Sequence, residues 1–211
     1  MIGLRRVRVA RAALLLALAA GSSAQQRSPE DYAKLLEGAE RVARMQVPRV
    51  VDALQLQPGM KVADLGSGSG LFTRPIAKGI APGGIAYAVD IDRGLLQIVE
   101  RSARDSGIDN IRSVLAGADD PRLPEQVDLV LICDTLHHIP DRGAYLQGLR
   151  KYVGPGGRVA VIDFSERWPE GHESMRYTAV QLESWMKDAG FVRIASHDWL
   201  ENAFFLMYRA N

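Results

Sequence analysis

Cysteine is almost absent from this sequence, since Cys133 is the only one among 211 residues. An intramolecular disulfide is therefore impossible, and one chain cannot build a cysteine-rich metal site. We interpret Cys133 as a small buried apolar residue rather than a nucleophile. Any folded domain in this chain must depend on its hydrophobic core for stability.

Acidic residues are missing from the first 29 positions, where the chain is basic and then apolar. Four arginines precede an apolar run over residues 12–20, and small residues suited to cleavage follow at 22–24. This order predicts a secretory signal peptide over residues 1–24 and export to the periplasm or the medium. The apolar run is far shorter than the roughly 20 residues that cross a bilayer. An organellar presequence, and a start codon placed too early before a cytoplasmic enzyme, remain alternatives.

Excess positive charge is also missing from the rest of the chain. Without residues 1–24 there are 22 basic and 25 acidic residues, a net charge of −3. The sequence therefore predicts no nucleic-acid surface and no membrane span in the mature chain. The length suits one domain, and we expect a helical segment over 25–57 and the main domain over 58–211. In the helical segment, Ser28 is expected to cap an amphipathic helix, which Pro48 breaks before a second, short helix over 49–54.

Strands and helices alternate through the main domain, which predicts a doubly wound, Rossmann-like sheet of seven mostly parallel strands. The last two apolar runs are separated only by Glu201-Asn202, so they are expected to form an antiparallel hairpin. The first five predicted strands are 61–65, 85–90, 111–115, 127–133 and 158–164. The predicted helices in this domain are 71–78, 93–106, 142–153 and 178–189.

The most informative segment is Val62–Gly70, an apolar run with an embedded acid followed by three alternating glycines. It predicts a buried strand that turns tightly into a helix, where backbone and ligand can approach closely. The glycines do not fit the G-x-G-x-x-G spacing of dinucleotide folds. Asp90 follows about 20 residues after the last glycine, a position suited to binding ribose hydroxyls. The pattern indicates a cofactor that contains a nucleoside.

These segments resemble the class I S-adenosylmethionine-dependent methyltransferases. The first motif of that family looks like VADLGSGSG here, and further matches are YAVDID, VDLVLICDTLHHI and VGPGGRVAVIDF. The resemblance covers nearly everything after Ser28 and implies methyl transfer from S-adenosylmethionine to a small molecule. It implies that the loop contacts the methionine part, Asp90 the ribose and Ile91 the adenine, with Asp119 or the main chain at Ala118 near the adenine amine. The implied cofactor-binding residues are Asp64, Gly66, Ser67, Gly68, Gly70, Asp90, Ile91, Asp119 and Cys133.

The candidate catalytic residues are Asp134, His137 and His138, because they follow the fourth strand at the edge where open α/β sheets bind ligands. Asp134 and one histidine are expected to face the transferred methyl group. His137 or His138 is a candidate base for an acceptor that carries a proton. The alternative is that one histidine caps a helix and the other packs in the core.

No metal site is predicted, because His172 and His197 are remote in sequence from the adjacent histidine pair and carry no spacing signal. The acceptor is expected to meet Tyr32 and the loop 165–177, which contains Trp168. Two other functions stay open: an exported, non-catalytic module with this fold, and a dinucleotide-dependent oxidoreductase.

Overall fold

The computed structural model describes residues 28–211 of the chain, so the predicted signal peptide lies outside the described residues. Three helices come first, α1 (Pro29–Leu36), α2 (Ala39–Met45) and α3 (Val47–Ala53). Ser28 caps α1 through its hydroxyl, with a proline in the first turn, as the sequence predicts. The single long helix expected before Pro48 is wrong, because Gly38 ends α1 and starts α2, and Gln46 adopts a left-handed conformation between α2 and α3.

The main domain alternates as predicted: β1 (Lys61–Leu65), α4 (Thr73–Gly79), β2 (Ile85–Asp90), α5 (Arg93–Asp105), β3 (Ile111–Leu115), β4 (Val127–Cys133), α6 (Arg142–Leu149), β5 (Val153–Phe164), α7 (Ala179–Asp188), β6 (Phe191–His197) and β7 (Ala203–Ala210). Short 3₁₀ helices cover Leu136–His138, Arg150–Tyr152 and Glu173–Met175. The four parallel β-strands predicted before β5 have the expected bounds. The predicted helix 142–153 is too long, because the chain joins β5 already at Val153.

All seven strands form one sheet in the order β3-β2-β1-β4-β5-β7-β6, in which β7 is antiparallel to both of its neighbours. The predicted fold class is confirmed. The connection between β6 and β7 covers residues 198–202 and is longer than expected. The strand order reverses between β1 and β4, and ligands bind at this kind of switch point, outside the carboxyl ends of the strands.

Neighbouring residues of each strand face opposite sides of the sheet, so separate cores form on the two faces. Val62 packs with α3 and α4, whereas Ala63 belongs to the core with α6 and α7. Both layers of helices bury the central strands, which read as continuous apolar runs for this reason. A polar side chain inside such a strand, as at Asp64 or Asp163, therefore requires a specific partner. No helix of residues 28–211 is long and apolar enough to cross a membrane.

Candidate functional site

The glycine loop follows β1 at the switch point of the sheet. Gly66, Gly68 and Gly70 all have positive φ angles, of 72°, 53° and 84°, which side chains rarely adopt. Close packing excludes side chains as well, since a Cβ at Gly66 would lie 2.1 Å from the Thr135 hydroxyl and one at Gly68 2.7 Å from Leu36 Cδ1. The loop is thus held between the end of α1 and the segment after β4.

Asp90 ends β2 and holds the same loop in position. Its Oδ2 accepts a hydrogen bond from the Gly68 N–H and its Oδ1 one from the Asp92 N–H, each at 2.9 Å. Burial raises the pKa of this carboxyl. The next residue, Ile91, is a large apolar side chain that is 70% exposed. A carboxylate beside uncovered apolar surface suits a ligand that carries hydroxyls next to a flat ring.

Asp64 is a second buried carboxyl, within β1. It is 4% exposed and accepts a hydrogen bond from the Thr73 hydroxyl at 2.6 Å. Burial raises the pKa of Asp64 to about 6; the charge on Asp90 also raises it, while the Thr73 bond and the Arg41 charge act in the opposite direction. Two neighbouring buried carboxyls are both ionised more readily when a cation lies beside them. This part of the site therefore favours a ligand group with positive charge.

Buried polar atoms without a hydrogen-bond partner gather around the glycine loop. Seven such side-chain atoms occur among residues 28–211, and four of them belong to this region: the hydroxyls of Ser67 and Ser69, Oδ1 of Asp134 and Nη1 of Arg44. Buried polar groups in folded proteins nearly always have partners. Buried polar atoms without partners are therefore concentrated around the glycine loop. Such a concentration is expected at a site that completes its hydrogen bonds with a ligand.

Asp134, a predicted catalytic residue, is engaged in ion pairs. Its Oδ2 lies 3.0 Å from Nη2 of Arg41 and 3.6 Å from Nη2 of Arg44, and its backbone has a positive φ of 50°. The prediction missed both arginines. Their spacing of three residues on α2 indicates a shared helix face, but nothing in the sequence identifies their partner.

The first two helices cover the glycine loop, and we call residues 29–45 the N-terminal roof. Leu36 lies against Gly68, and Glu37 forms a 2.6 Å ion pair with Arg74, whose other nitrogen donates to the Ser69 carbonyl at 2.8 Å. Through apolar contacts and ion pairs the roof covers residues 67–70 of the loop, which are buried, whereas Gly66 is exposed. Tyr32, the predicted acceptor contact in this segment, is 37% exposed.

His137 is a core histidine held by a buried carboxylate. The residue is 2% exposed, and its Nδ1 lies 2.8 Å from Oδ1 of Asp163, which ends no strand but lies inside β5. Asp163 also accepts bonds from the Tyr177 hydroxyl at 2.9 Å and the Phe164 N–H at 3.0 Å. A carboxylate accepts, so Nδ1 of His137 is the donor of this pair, and the acceptor nitrogen of the neutral imidazole is Nε2. Asp163 was missed, although it is an acid embedded in an apolar strand, the signal that singled out Asp64.

His138 and His172 complete a cluster around His137. The ring centroids of His137 and His138 are 4.1 Å apart, and His172 lies 5.3 Å and 5.5 Å from them. Folding brings His172 to the pair, so its distance in sequence does not exclude a metal site. His138 is exposed, but partial burial and then the two neighbouring imidazoles lower its pKa to about 4.

Aromatic rings form the wall behind this cluster. Trp168, from the predicted acceptor loop, has its ring 5.5 Å from those of His137 and Phe164 and 5.9 Å from that of Tyr177. Trp168 is partly buried and packs against the larger core. It therefore packs on the core and at the same time borders the histidine cluster.

The remaining predicted residues lie at two different places. Cys133 is buried at the end of β4, and burial raises the pKa of its thiol well above the ordinary value, so the thiol is unreactive. Asp119 is exposed in the loop after β3. The predicted cofactor-binding residues otherwise converge on the glycine loop and the ends of β1 and β2.

A family model described as a methyltransferase domain matches residues 56–202, more than half of the chain. The chain belongs to the class I S-adenosylmethionine-dependent methyltransferases. The predicted family, enzyme class and cofactor are thereby confirmed. The oxidoreductase and non-catalytic alternatives are set aside.

Individual relatives agree with this assignment. A ubiquinone/menaquinone biosynthesis C-methyltransferase of Burkholderia cenocepacia is 29% identical over 134 residues, which are 63% of this chain and 55% of the relative. The chain thus spans about half the length of this curated relative. A SAM-dependent methyltransferase structure from Aquifex aeolicus has a TM-score of 0.77 at 20% identity and covers 88% of this chain and 100% of its own. A magnesium protoporphyrin IX methyltransferase from Synechocystis with bound SAM has a TM-score of 0.63 at 17% identity, with 89% and 86% covered.

Proposed function

We propose that this methyltransferase acts on a small, largely apolar acceptor with an aromatic ring, which binds beside the histidine cluster. The observation that carries the proposal is that two different surfaces meet at the same edge of the sheet. Buried polar atoms without partners surround the glycine loop, and aromatic rings with imidazoles lie beyond Asp134. The name of the Burkholderia relative, which refers to quinone biosynthesis, supports an aromatic acceptor.

The residues around the glycine loop fit the cofactor chemically. Asp90 would accept bonds from the two ribose hydroxyls, and exposed Ile91 would cover one face of the adenine. Asp64 would face the positively charged amino group, directly or through water, and the hydroxyls of Ser67 and Ser69 supply unused polar groups nearby. When bound, S-adenosylmethionine supplies a methyl group on a sulfonium, whose carbon–sulfur bond breaks with its electron pair left on sulfur.

The chain itself contributes alignment and exclusion of water to this reaction. The N-terminal roof covers the loop, and Arg41 and Arg44 neutralise Asp134 next to the reacting centre. An in-line displacement gains most from such positioning. A proton on the acceptor atom would leave to solvent.

Cofactor binding is tested by calorimetric titration with S-adenosylmethionine, its demethylated product and NAD. Asp90→Asn should weaken binding of the first two by about thirtyfold, because two charge-assisted bonds become neutral at about 1 kcal/mol each. Asp92→Asn is a matched control two residues away, since asparagine still caps α5. Equal affinities for the two variants would reject the role of Asp90. Binding of NAD alone would reject the cofactor assignment for this site.

The acceptor class is tested by incubating the enzyme with labelled S-adenosylmethionine and two panels of small molecules. We expect methylation of hydroxylated aromatic compounds and none of aliphatic amines of similar size. Trp168→Ala should raise KM for the aromatic acceptor and leave the cofactor Kd unchanged. Turnover of the amines with no activity on the aromatic panel would overturn the proposed acceptor.

We also propose that the chain is exported, on the basis of the basic, apolar and small-residue order of residues 1–24. Fusion of these residues to a reporter enzyme that is active only outside the cytoplasm should give activity, and replacement of the four arginines by glutamate should abolish it. A reporter that stays inactive with the native residues would contradict export.

A further inference from the structure

We infer that His137, His138 and His172 form a binding site for a divalent transition-metal ion, with Zn²⁺ as the probe. One ligand atom from each imidazole lies within 4.8 Å of the others. In a tetrahedral zinc site, nitrogens about 2.0–2.1 Å from the metal are about 3.3 Å from one another. The three atoms therefore need to approach by roughly 1.5 Å, which rotations of two less buried side chains allow.

Two of the three imidazoles also make the outer contact that metal-binding histidines make. Nδ1 of His137 is bound to the Asp163 carboxylate at 2.8 Å, and Nδ1 of His172 lies 3.2 Å from the Glu170 carbonyl oxygen. Both contacts leave Nε2 free. Metal-binding histidines almost always use one ring nitrogen in this way, because a carboxylate or carbonyl on the far nitrogen fixes the tautomer and the ring orientation.

Asp163 holds the His137 side chain in a fixed position. It is fully buried and is held by Tyr177, by the Phe164 N–H and by the His137 N–H at 3.3 Å. One ligand is therefore fixed in the core, whereas His138 and His172 lie at the surface, where an ion can enter. Imidazole nitrogen suits zinc, copper and nickel better than it suits magnesium or calcium.

Three protein ligands leave a fourth position of the metal open. That position would suit an oxygen of the acceptor and would hold a hydroxylated ring beside Trp168. This role rests on the proposed function, but metal binding does not. Metal binding and the proposed function can be tested separately, because the cofactor titration does not involve the histidines.

The test is titration of metal-free, untagged chain with ZnCl₂ by calorimetry. We expect one site per chain, and His172→Gln should weaken binding by about tenfold or more through loss of a ligand. His172 lies outside the core, so this variant keeps the fold. His197→Gln is the matched control, because His197 is the only other histidine in the sequence, and it should leave the affinity unchanged.

A second measurement identifies the ligands directly. Co²⁺ in place of zinc should give visible ligand-field bands of a nitrogen and oxygen site without sulfur-to-metal charge transfer, and His172→Gln should remove them. No zinc binding by the wild-type chain, or equal binding by the wild type and His172→Gln, would overturn the metal site. If the chain still bound S-adenosylmethionine in that case, the proposed function would stand without the metal.

Discussion

Replacement of Asp64 by asparagine should stabilise the cofactor-free protein at high pH and much less at low pH. Asp64 is buried in β1, and its pKa is raised from 3.8 to about 6, chiefly by burial. Ionisation therefore costs the folded state about 3 kcal/mol more than the unfolded chain. Asparagine has nearly the same shape, and its side-chain oxygen can still accept the bond from Thr73.

The sign of the effect follows from the two pKa values. Well below the unfolded pKa of 3.8 the carboxyl is protonated in both states and costs nothing. Because the folded pKa is raised, wild-type stability from this group is lost as the pH rises from about 4 through about 6. Asp64→Asn escapes this loss, so its advantage should be about 3 kcal/mol at pH 8 and under about 1 kcal/mol at pH 4.5.

Urea unfolding of both proteins at five pH values measures this difference. In thermal scans the advantage at pH 8 should raise Tm by about 6–12 °C for a chain of this size. Asp52→Asn is the control, because Asp52 is exposed on α3 and should show no comparable pH dependence. If Asp64→Asn were less stable than wild type at pH 8, the argument from burial would be wrong, and the charge of Arg41 would outweigh it.

Three further predictions concern the same edge of the sheet. Affinity for S-adenosylmethionine should rise severalfold between pH 5.5 and 7.5, because the cationic amino group favours ionised Asp64; calorimetry should find a flat profile for Asp64→Asn. Arg41→Met should lower the free energy of unfolding by about 1–3 kcal/mol, because Asp134 loses its nearer partner; urea unfolding should show that Asp134→Asn in the same chain restores part of this loss. Tyr177→Phe should lower the free energy of unfolding in urea by about 1.5–3 kcal/mol, because the Asp163 carboxylate loses one bond, and calorimetry should find the cofactor affinity unchanged.

The sheet was predictable because its signals are local. The strands β1, β2 and β4 are apolar runs of five to seven residues between turn residues, and burial on both faces requires that composition. The glycine loop was predictable for the same reason, since positive φ and close approach of the backbone restrict three positions to glycine. Asp90 followed from its distance to that loop. These features depend on residues that are near one another in sequence.

The helix boundaries were less predictable because competing stop signals are close together. Gly38 and Pro48 both interrupt the apolar pattern after Ser28, and the prediction used the proline alone. Proline is tolerated in the first turn of a helix, and it lies there in α3. Glycine at position 38 instead allows the chain to bend between α1 and α2, which brings both helices over the loop.

The polar partners at the site were not predictable, because each joins segments that are distant in the chain. Arg41 meets Asp134 across 93 positions, and His137 meets Asp163 across 26. A buried acid in an apolar strand does indicate that a partner exists, since an unpaired buried charge is expensive. It does not say which residue provides the partner. His172 shows the consequence for function. Its proximity to the histidine pair arises only when the loop after β5 folds back over the end of β4, so the histidine cluster is absent from the sequence pattern and present in the fold.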